Sequence, residues 1–436
     1  LSVFLFSFFN SNANTYYVAT NGNNNNPGTI NSPFATWEHL TTVLVAGDIA
    51  YIRGGTYRSA KPAGSDVRCR LSNLNGTASD SIKIFAYPGE NPILNLDDVL
   101  VTAWGAYGLY LENSKYVWIK GLRVTGMAQN NSGNVVFGFT LANSNNCRIE
   151  FCEVDNIGGQ GFYSLNSNDI LYKNCDVHHL DDRYSTYAWN GATGFSATSS
   201  GNTSTRNTYD GCRAWWISDD GWDFFACEGF FTIKNCWSFW NGYQPGTFTP
   251  AGDGAGYKLG PTSNRSTTLL RVLTNNLAVE NRAFGFDQNG GNCIYNLHNN
   301  TAFDNGDIGF VWGYFTSIPQ VFKNNISHNN NTNYVGSEIT GDHNSWNPGV
   351  TLNNADFQSI SSTGLNGPRQ ADGSLPNIPF LHLDANSDLI DKGINVGLPF
   401  SGSAPDIGSY EHNTGNQSPT ATAGTNQNIT LPVNSV

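Results

Sequence analysis

Asp223, Lys258 and Asp287 each close a glycine–aromatic–charge triplet: Gly221-Trp222-Asp223, Gly256-Tyr257-Lys258 and Gly285-Phe286-Asp287. Carboxylate, amine and carboxylate in one register can bind a cation, move a proton, or both. The Gly-x pair recurs at Gly108-Leu109, Gly138-Phe139, Gly161-Phe162, Gly194-Phe195 and Gly309-Phe310. There the third residues are Tyr110, Thr140, Tyr163, Ser196 and Val311. Charge is confined to three consecutive repeats. If each repeat is one turn of a solenoid, the three side chains start about 5 Å apart in one stack.

Asp219-Asp220-x-x-Asp223 places three carboxylates in one turn and strand. Packed that closely they repel, so one stays protonated unless a cation sits among them. Hard oxygen donors suit Ca²⁺, whose shell can be shared with a substrate. A solvated acidic turn, or an ion that only staples two coils, would use the same residues. Lys258 adds a base. A uronic acid sugar carries an acidic proton beside its carboxylate. Removing that proton needs a base and a neutralised carboxylate. Ca²⁺ meets the second need, and lysine the first if its pKa of about 10.4 falls. Neighbouring carboxylates raise that pKa, whereas a divalent cation lowers it. Loss of the glycosidic oxygen then completes a β-elimination. A plain Asp–Lys–Asp ion-pair ladder is the bland alternative. Against it stands the segment Gly252-Asp253-Gly254-Ala255-Gly256, which lets bare backbone approach a ligand.

These side chains need a repeating scaffold, and a second ladder supplies it. KGLRV (120–124), EFCEV (150–154), KNCDV (173–177) and DGCRA (210–214) are followed by KNCWS (234–238), NNLAV (275–279), NNTAF (299–303) and NNISH (324–328). Their central residues are Leu122, Cys152, Cys175, Cys212, Cys236, Leu277, Thr301 and Ile326, spaced 30, 23, 37, 24, 41, 24 and 25 apart. A base period near 24 means a solenoid or propeller. Short apolar runs between Asn- and Ser/Thr-rich turns, with no helical periodicity, predict an all-β, right-handed parallel β-helix with capped ends. The cysteines at the centre should face inward as small unpaired hydrophobes. Asparagines before the centre (Asn174, Asn235, Asn276, Asn300, Asn325) should bond coil to coil. The two long steps flank the charged coil and should form loops that wall a cleft.

The 436 residues carry a net charge of −12, which excludes a nucleic-acid footprint. Residues 1–13 read as the remnant of a signal peptide: an apolar run too short to span a bilayer, then small residues. An exported protein with no membrane span follows, expected to act as a monomer. Residues 14–413 form the repeat domain, in which 14–105 should cap one end and 335–413 the other. Residues 414–436 read as a linker and the start of a truncated immunoglobulin-like module.

Gly211-Cys-Arg-Ala-Trp, Ser218-Asp-Asp-Gly-Trp-Asp223, Lys234-Asn-Cys-Trp, Asn241-Gly-Tyr, Gly252-Asp-Gly-Ala-Gly-Tyr-Lys-Leu-Gly260 and Gly285-Phe-Asp-Gln-Asn289 together resemble polysaccharide lyase family nine over roughly Tyr16 to Asn330. That family comprises parallel β-helix pectate and rhamnogalacturonan lyases with an aspartate Ca²⁺ site and a lysine base. The resemblance implies that Asp219, Asp220 and Asp223 are metal ligands and Lys258 the catalytic base, acting on an acidic plant or algal polysaccharide. One position departs. Family members that cleave pectate commonly carry Asp in the segment matching Gly191–Phe195, where this chain has Thr193.

Arg282 is the preferred clamp for a substrate carboxylate over Arg265 and Arg271. Asp287 is an expected orienting partner, and Tyr257 a candidate for sugar contact. Trp215, Trp216, Trp222 and Tyr243 suit core packing better. His178-His179 with Asp181-Asp182 reads as a polar loop. Two other functions fit the composition: a β-helix glycoside hydrolase using two of the aspartates as acid and base, and a non-catalytic carbohydrate-binding solenoid. β-Helix polygalacturonases carry Gly-His-Gly and Arg-x-Lys motifs, which the chain lacks.

Overall fold

The structure is a computed structural model that describes residues 13–58, 67–99, 101, 105–130, 135–184, 188–198, 206–225, 227–260, 269–291, 293–313, 320–336 and 340–412. The signal-like segment before Ala13, Arg265 and the tail from 413 lie outside the described residues.

Among the described residues, short strands wind repeatedly through three parallel sheets of twelve, ten and ten strands. In each coil the chain runs from the twelve-stranded sheet, such as Val117–Lys120, to the outer sheet, such as Arg123–Thr125. It then enters the third sheet, such as Val136–Ala142. That third sheet carries the glycine–aromatic repeat and is called the cleft sheet. The expected β-helix is the observed fold.

Alternation along each strand sends one side chain inward and the next outward. Leu109, Phe139, Phe162, Phe195, Trp222, Tyr257, Phe286 and Phe310 are paired coil to coil in one inward column. From Phe195 to Phe310 successive ring centroids lie 4.7–4.8 Å apart. Stacked pairs of this kind add about 0.5–1.5 kcal/mol each beyond their buried area. The glycine before each ring allows the corner to press in. A Cβ on Gly194 would stand 2.5 Å from the Gly221 carbonyl oxygen and 2.9 Å from Ala214.

The second ladder marks corners between the twelve-stranded and outer sheets, not strand ends, and its register shifts by one residue. Trp237 pairs with Leu277, so Cys236 stacks on Asn276 rather than on Leu277. The inward corner column therefore runs Leu122, Cys152, Cys175, Cys212, Cys236, Asn276, Asn300, Asn325. The Asn276 Oδ1 accepts from the Cys236 N–H at 3.0 Å, and the Asn276 Nδ2 donates to Asn300 Oδ1 at 2.8 Å. Asn174 and Asn235 occupy the preceding column, with φ of 52° and 54°. Asparagine tolerates that left-handed conformation better than most residues. All eight cysteines are buried thiols.

Two boundaries differ from expectation. Coils begin by Ile49–Ile52, well before residue 105, so the N-terminal cap is only Thr15–Val18 and the 3₁₀ turn Glu38–Thr42. Trp37 and Leu40 plug the core there. At the other end strands persist to Thr340–Asp342. The following segment runs back along the side of the solenoid. Its Phe357, Leu365, Phe380, Leu383, Leu389 and Ile407 pack on Trp215, Trp237, Leu277 and Phe303 of the outer sheet. Arg369 anchors it to Asp176 at 2.6 Å.

Candidate active site

Outward from the inward ring column, Ser196, Asp223, Lys258, Asp287 and Val311 stand in register on consecutive coils of the cleft sheet. The column extends back to Arg70, which pairs with Tyr110. A positive charge therefore also stands at its far end, outside the repeats that carry the Gly-x pair. Three residues earlier on the same two strands, Thr193 pairs with Asp220.

The corner before this sheet is built by a second asparagine ladder. Asn241 Nδ2 donates to Asn281 Oδ1 (2.9 Å), Asn281 to Asn305 (2.9 Å) and Asn305 to Asn330 (2.8 Å). These bonds fix the corner from which Asp219 and the Gly252–Gly256 segment depart. Ile217 continues that column towards the N-terminus, its N–H donating to Asn241 Oδ1 at 3.2 Å, and the next residue, Ser218, donates to Asp182 at 2.8 Å.

Lys258 lies at the centre of the cluster, 12 % exposed. Its Nζ is 3.0 Å from Asp220 Oδ2, 3.1 Å from Asp253 Oδ2 and 3.9 Å from Asp223 Oδ2. Burial pulls the ammonium pKa down. Asp220, Asp223, Asp219 and Asp253 outweigh it and hold the group well above the usual lysine range. Burial, then the neighbouring Asp220 charge, raises the Asp219 carboxyl well above normal. Asp220, wholly enclosed, is raised by burial too, although Lys258 opposes the shift. Burial pushes Asp223 up to about 7 and Asp287 up to about 6.

Oxygens of Asp219, Asp220 and Asp253 all lie within 4.8 Å of one another. Three carboxylates of which two are buried form a hard, all-oxygen donor set, and such a set fits Ca²⁺. Backbone amides orient it: the Asp253 N–H donates to Asp219 Oδ1 (2.6 Å) and the Ala255 N–H to Asp220 Oδ1 (2.7 Å). Asp223 stands beside the trio, its Oδ1 taken by the Phe225 N–H at 2.6 Å. Asp253 is the member of this oxygen cluster that sequence reasoning missed. Its position in a glycine-dense segment five residues before Lys258 was the available signal.

Other expected site residues fare unequally. Tyr257 cannot touch a sugar: the alternation that sends Lys258 out sends Tyr257 in. Its ring is 0 % exposed, stacked between Trp222 and Phe286, with its hydroxyl donating to the Cys236 and Leu277 carbonyls at 2.8 and 3.1 Å. Arg271 is buried under the sheet, donating to the Gly260 and Cys227 carbonyls. Arg282 reaches the site, but its Nε donates to the Gly252 carbonyl at 2.7 Å, so it braces the loop that carries Asp253. Asp287 follows Lys258 in the column, and its Oδ1 accepts from the Asn289 N–H at 2.7 Å. Trp215, Trp216 and Trp222 are buried in packing roles. His178 and His179 sit in a strand, Asp176–Leu180, rather than a loop. His178 meets Glu153 at 3.1 Å and His179 at 2.8 Å.

The described residues thus form a parallel β-helix with a lysine and several carboxylates on the outer face of one sheet. The particular family follows from comparison. The family described as "Pel9A-like, right handed beta helix region" matches residues 16–344, and the chain belongs to it. It is 29% identical over 415 residues to pectate lyase L of Dickeya chrysanthemi, covering 91% of this chain and 90% of that one. Pectate lyase L of Paenibacillus polymyxa (strain SC2) is 31% identical over 417 residues, covering 88% and 85%. Among solved structures, pectate lyase Pel9A aligns with a TM-score of 0.79 and 27% identity over 92% of this chain and 97% of that one. A rhamnogalacturonan lyase aligns at 0.74 and 27%, over 86% and 97%. The chain is a polysaccharide lyase, which sets aside the hydrolase and the non-catalytic solenoid.

Proposed function

We propose that this lyase cleaves a uronic-acid polymer, pectate or rhamnogalacturonan, by calcium-assisted β-elimination with Lys258 as the base. The observation that carries this reading is the Lys258 amine lodged 3.0 and 3.1 Å from Asp220 and Asp253, beside Asp219, on the outer face of the cleft sheet. An amine and a set of oxygens suited to a cation therefore share one spot. Asp219, Asp220 and Asp253 would hold Ca²⁺, with Asp223 beside them. When bound, the ion neutralises the uronate carboxylate and stabilises the charge that builds on it.

The remaining chemistry belongs to the side chains. As an ammonium among four carboxylates, Lys258 holds its proton too tightly to act. It becomes a base when those carboxylates are engaged elsewhere and their pull is lost. Its Nζ then takes the proton next to the uronate carboxylate. The electron pair forms a carbon–carbon double bond as the glycosidic oxygen departs and is protonated from solvent. Asp287, next in the column, bounds the space where the sugar sits. Arg282 holds the Gly252 backbone and so keeps Asp253 in place. A polymer too large to cross a membrane, together with the signal-like residues 1–13, supports action outside the cell.

The test is incubation with polygalacturonate and with rhamnogalacturonan, with and without chelator, following the ultraviolet absorbance of unsaturated ends. Absorbance that grows with one polymer and stops with chelator is expected. New reducing ends without absorbance would sink the elimination, and chelator-resistant absorbance would remove calcium from the mechanism.

A further inference from the structure

Resting on that reading of the site, we propose that Asp253 is a swinging cation ligand, which leaves Lys258 to join Asp219 and Asp220 around a divalent ion. It makes up for the carboxylate that Thr193 does not provide.

In the coil before the aspartate pair, the residue that pairs with Asp220 is a buried hydroxyl, Thr193, 3 % exposed. The coil after it offers Asp253, whose carboxylate already lies within 4.8 Å of the other two. The backbone of Asp253 is held from both sides. Its N–H donates to Asp219 Oδ1 at 2.6 Å, and its carbonyl accepts from Arg282 at 3.3 Å. Gly252 makes this approach possible, because a Cβ there would stand 2.5 Å from Asp219 Oδ1. The side chain, in contrast, is 52 % exposed and held by two polar partners, Asn190 Nδ2 at 2.8 Å and Lys258 Nζ at 3.1 Å. A fixed backbone with an exposed carboxylate lets rotation about the side-chain bonds alone carry the oxygens from the ammonium to an ion. The Lys258 ammonium, within 3.1 Å of both Asp220 and Asp253, marks where a positive charge is already tolerated between these groups. A divalent ion would contest it for the same oxygens. Ligand charge count tunes Ca²⁺ affinity strongly, so losing one of three carboxylates should be plain in binding.

Calorimetric titration with calcium chloride tests this on the whole chain, with no substrate present. Asp253→Asn keeps the size of the side chain and an oxygen for Asn190. It should weaken calcium binding at least about tenfold, leave the melting temperature in chelator unchanged, and shrink the rise in melting temperature that calcium produces. Asp220→Asn is the control for the site itself and should abolish binding. If wild type binds calcium, Asp220→Asn does not, and Asp253→Asn binds within twofold of wild type, the swinging ligand is wrong while the site stands. If wild type binds no calcium, the reading of the site fails and this inference with it.

Discussion

Replacing Lys258 by arginine separates the base from the charge. Alanine is the poorer test, because it strips the partner from Asp220, which is wholly enclosed, and from the largely buried Asp223. Breaking a buried pair on one side costs about 3–5 kcal/mol, so a dead alanine variant could simply be a misfolded one. Arginine keeps a permanent cation within reach of the oxygens that Nζ meets at 3.0 and 3.1 Å. It cannot give up its proton in a protein. General base catalysis contributes about 10²–10⁴-fold, equal to roughly 2.7–5.5 kcal/mol of barrier. Lys258→Arg should therefore lose two to four orders of magnitude in kcat/KM and still melt as wild type does.

The assay is the initial rate of ultraviolet absorbance at saturating calcium, across pH. In wild type the carboxylates raise the lysine pKa, so the neutral base is scarce at low pH and the rate climbs as pH rises. In the arginine variant the residual rate should show no such climb. Retention of more than about a tenth of wild-type activity, or an unchanged pH slope, would refute Lys258 as the base. The site would then be an electrostatic clamp that takes its base from elsewhere.

Three further outcomes follow from the packing. Asn300→Leu removes the acceptor of the Asn276 N–H and side-chain amide and the donor to the Leu273 carbonyl. It should cost roughly 2–5 kcal/mol in denaturant unfolding. Asn300→Cys should cost less, since Cys236 fills the same column. Tyr257→Phe removes a hydroxyl donor from two carbonyls, of which that of Cys236 still accepts from the Leu277 N–H at 2.9 Å. It should destabilise by about 0.5–1.5 kcal/mol and leave KM for the polymer unchanged, whereas a sugar-contacting tyrosine would raise it. Burial and then the adjacent His178 push His179 down to about 4. As pH falls below about 6.5 the unfolded chain takes up this proton first. Stability should therefore decline from there to about pH 4 and then level off. The slope is at most about 1.4 kcal/mol per unit, less for a ring that solvent partly screens. His179→Asn, which suits the φ of 54°, should flatten that slope in pH-dependent melting.

What could be read in advance divides along physical lines. The glycine–aromatic column was legible because two constraints coincide at each repeat: a close backbone approach that only glycine permits, and a ring that must stack on its neighbours. The corner column misled because Cys236 and Asn276 solve one problem with different chemistry. Both fill a small buried volume and accept from the preceding coil, so similarity of side chain is no guide to register. Tyr257 was decidable from alternation alone, given Lys258 outward. Asp253 was harder, since it lies on a loop whose length follows no period, and only folding shows that its backbone lands on Asp219. The C-terminal strap carries no repeat at all. Its apolar residues match the outer sheet by shape rather than by spacing.

The column behind the charges also decides how much the fold would depend on a bound cation. With all groups ionised, Asp219, Asp220, Asp223 and Asp253 against Lys258 give −4 + 1 = −3 in a small volume. Such a cluster is unfavourable without a cation; burial first, and neighbouring carboxylates after it, raise the Asp219, Asp220 and Asp223 carboxyls. Directly behind it, on the same strands, Trp222, Tyr257 and Phe286 are fully buried. At about 1.5–3 kcal/mol for each buried side chain, the three oppose the repulsion with roughly 5–9 kcal/mol. Both asparagine ladders hold the corners without any help from charge. Chelation should therefore abolish activity and lower the melting temperature, yet leave the far-ultraviolet circular dichroism of the solenoid unchanged at 25 °C. Loss of strand signal on chelation would show that the ion holds the coils together, and that the interior column is too weak to fix the catalytic register by itself.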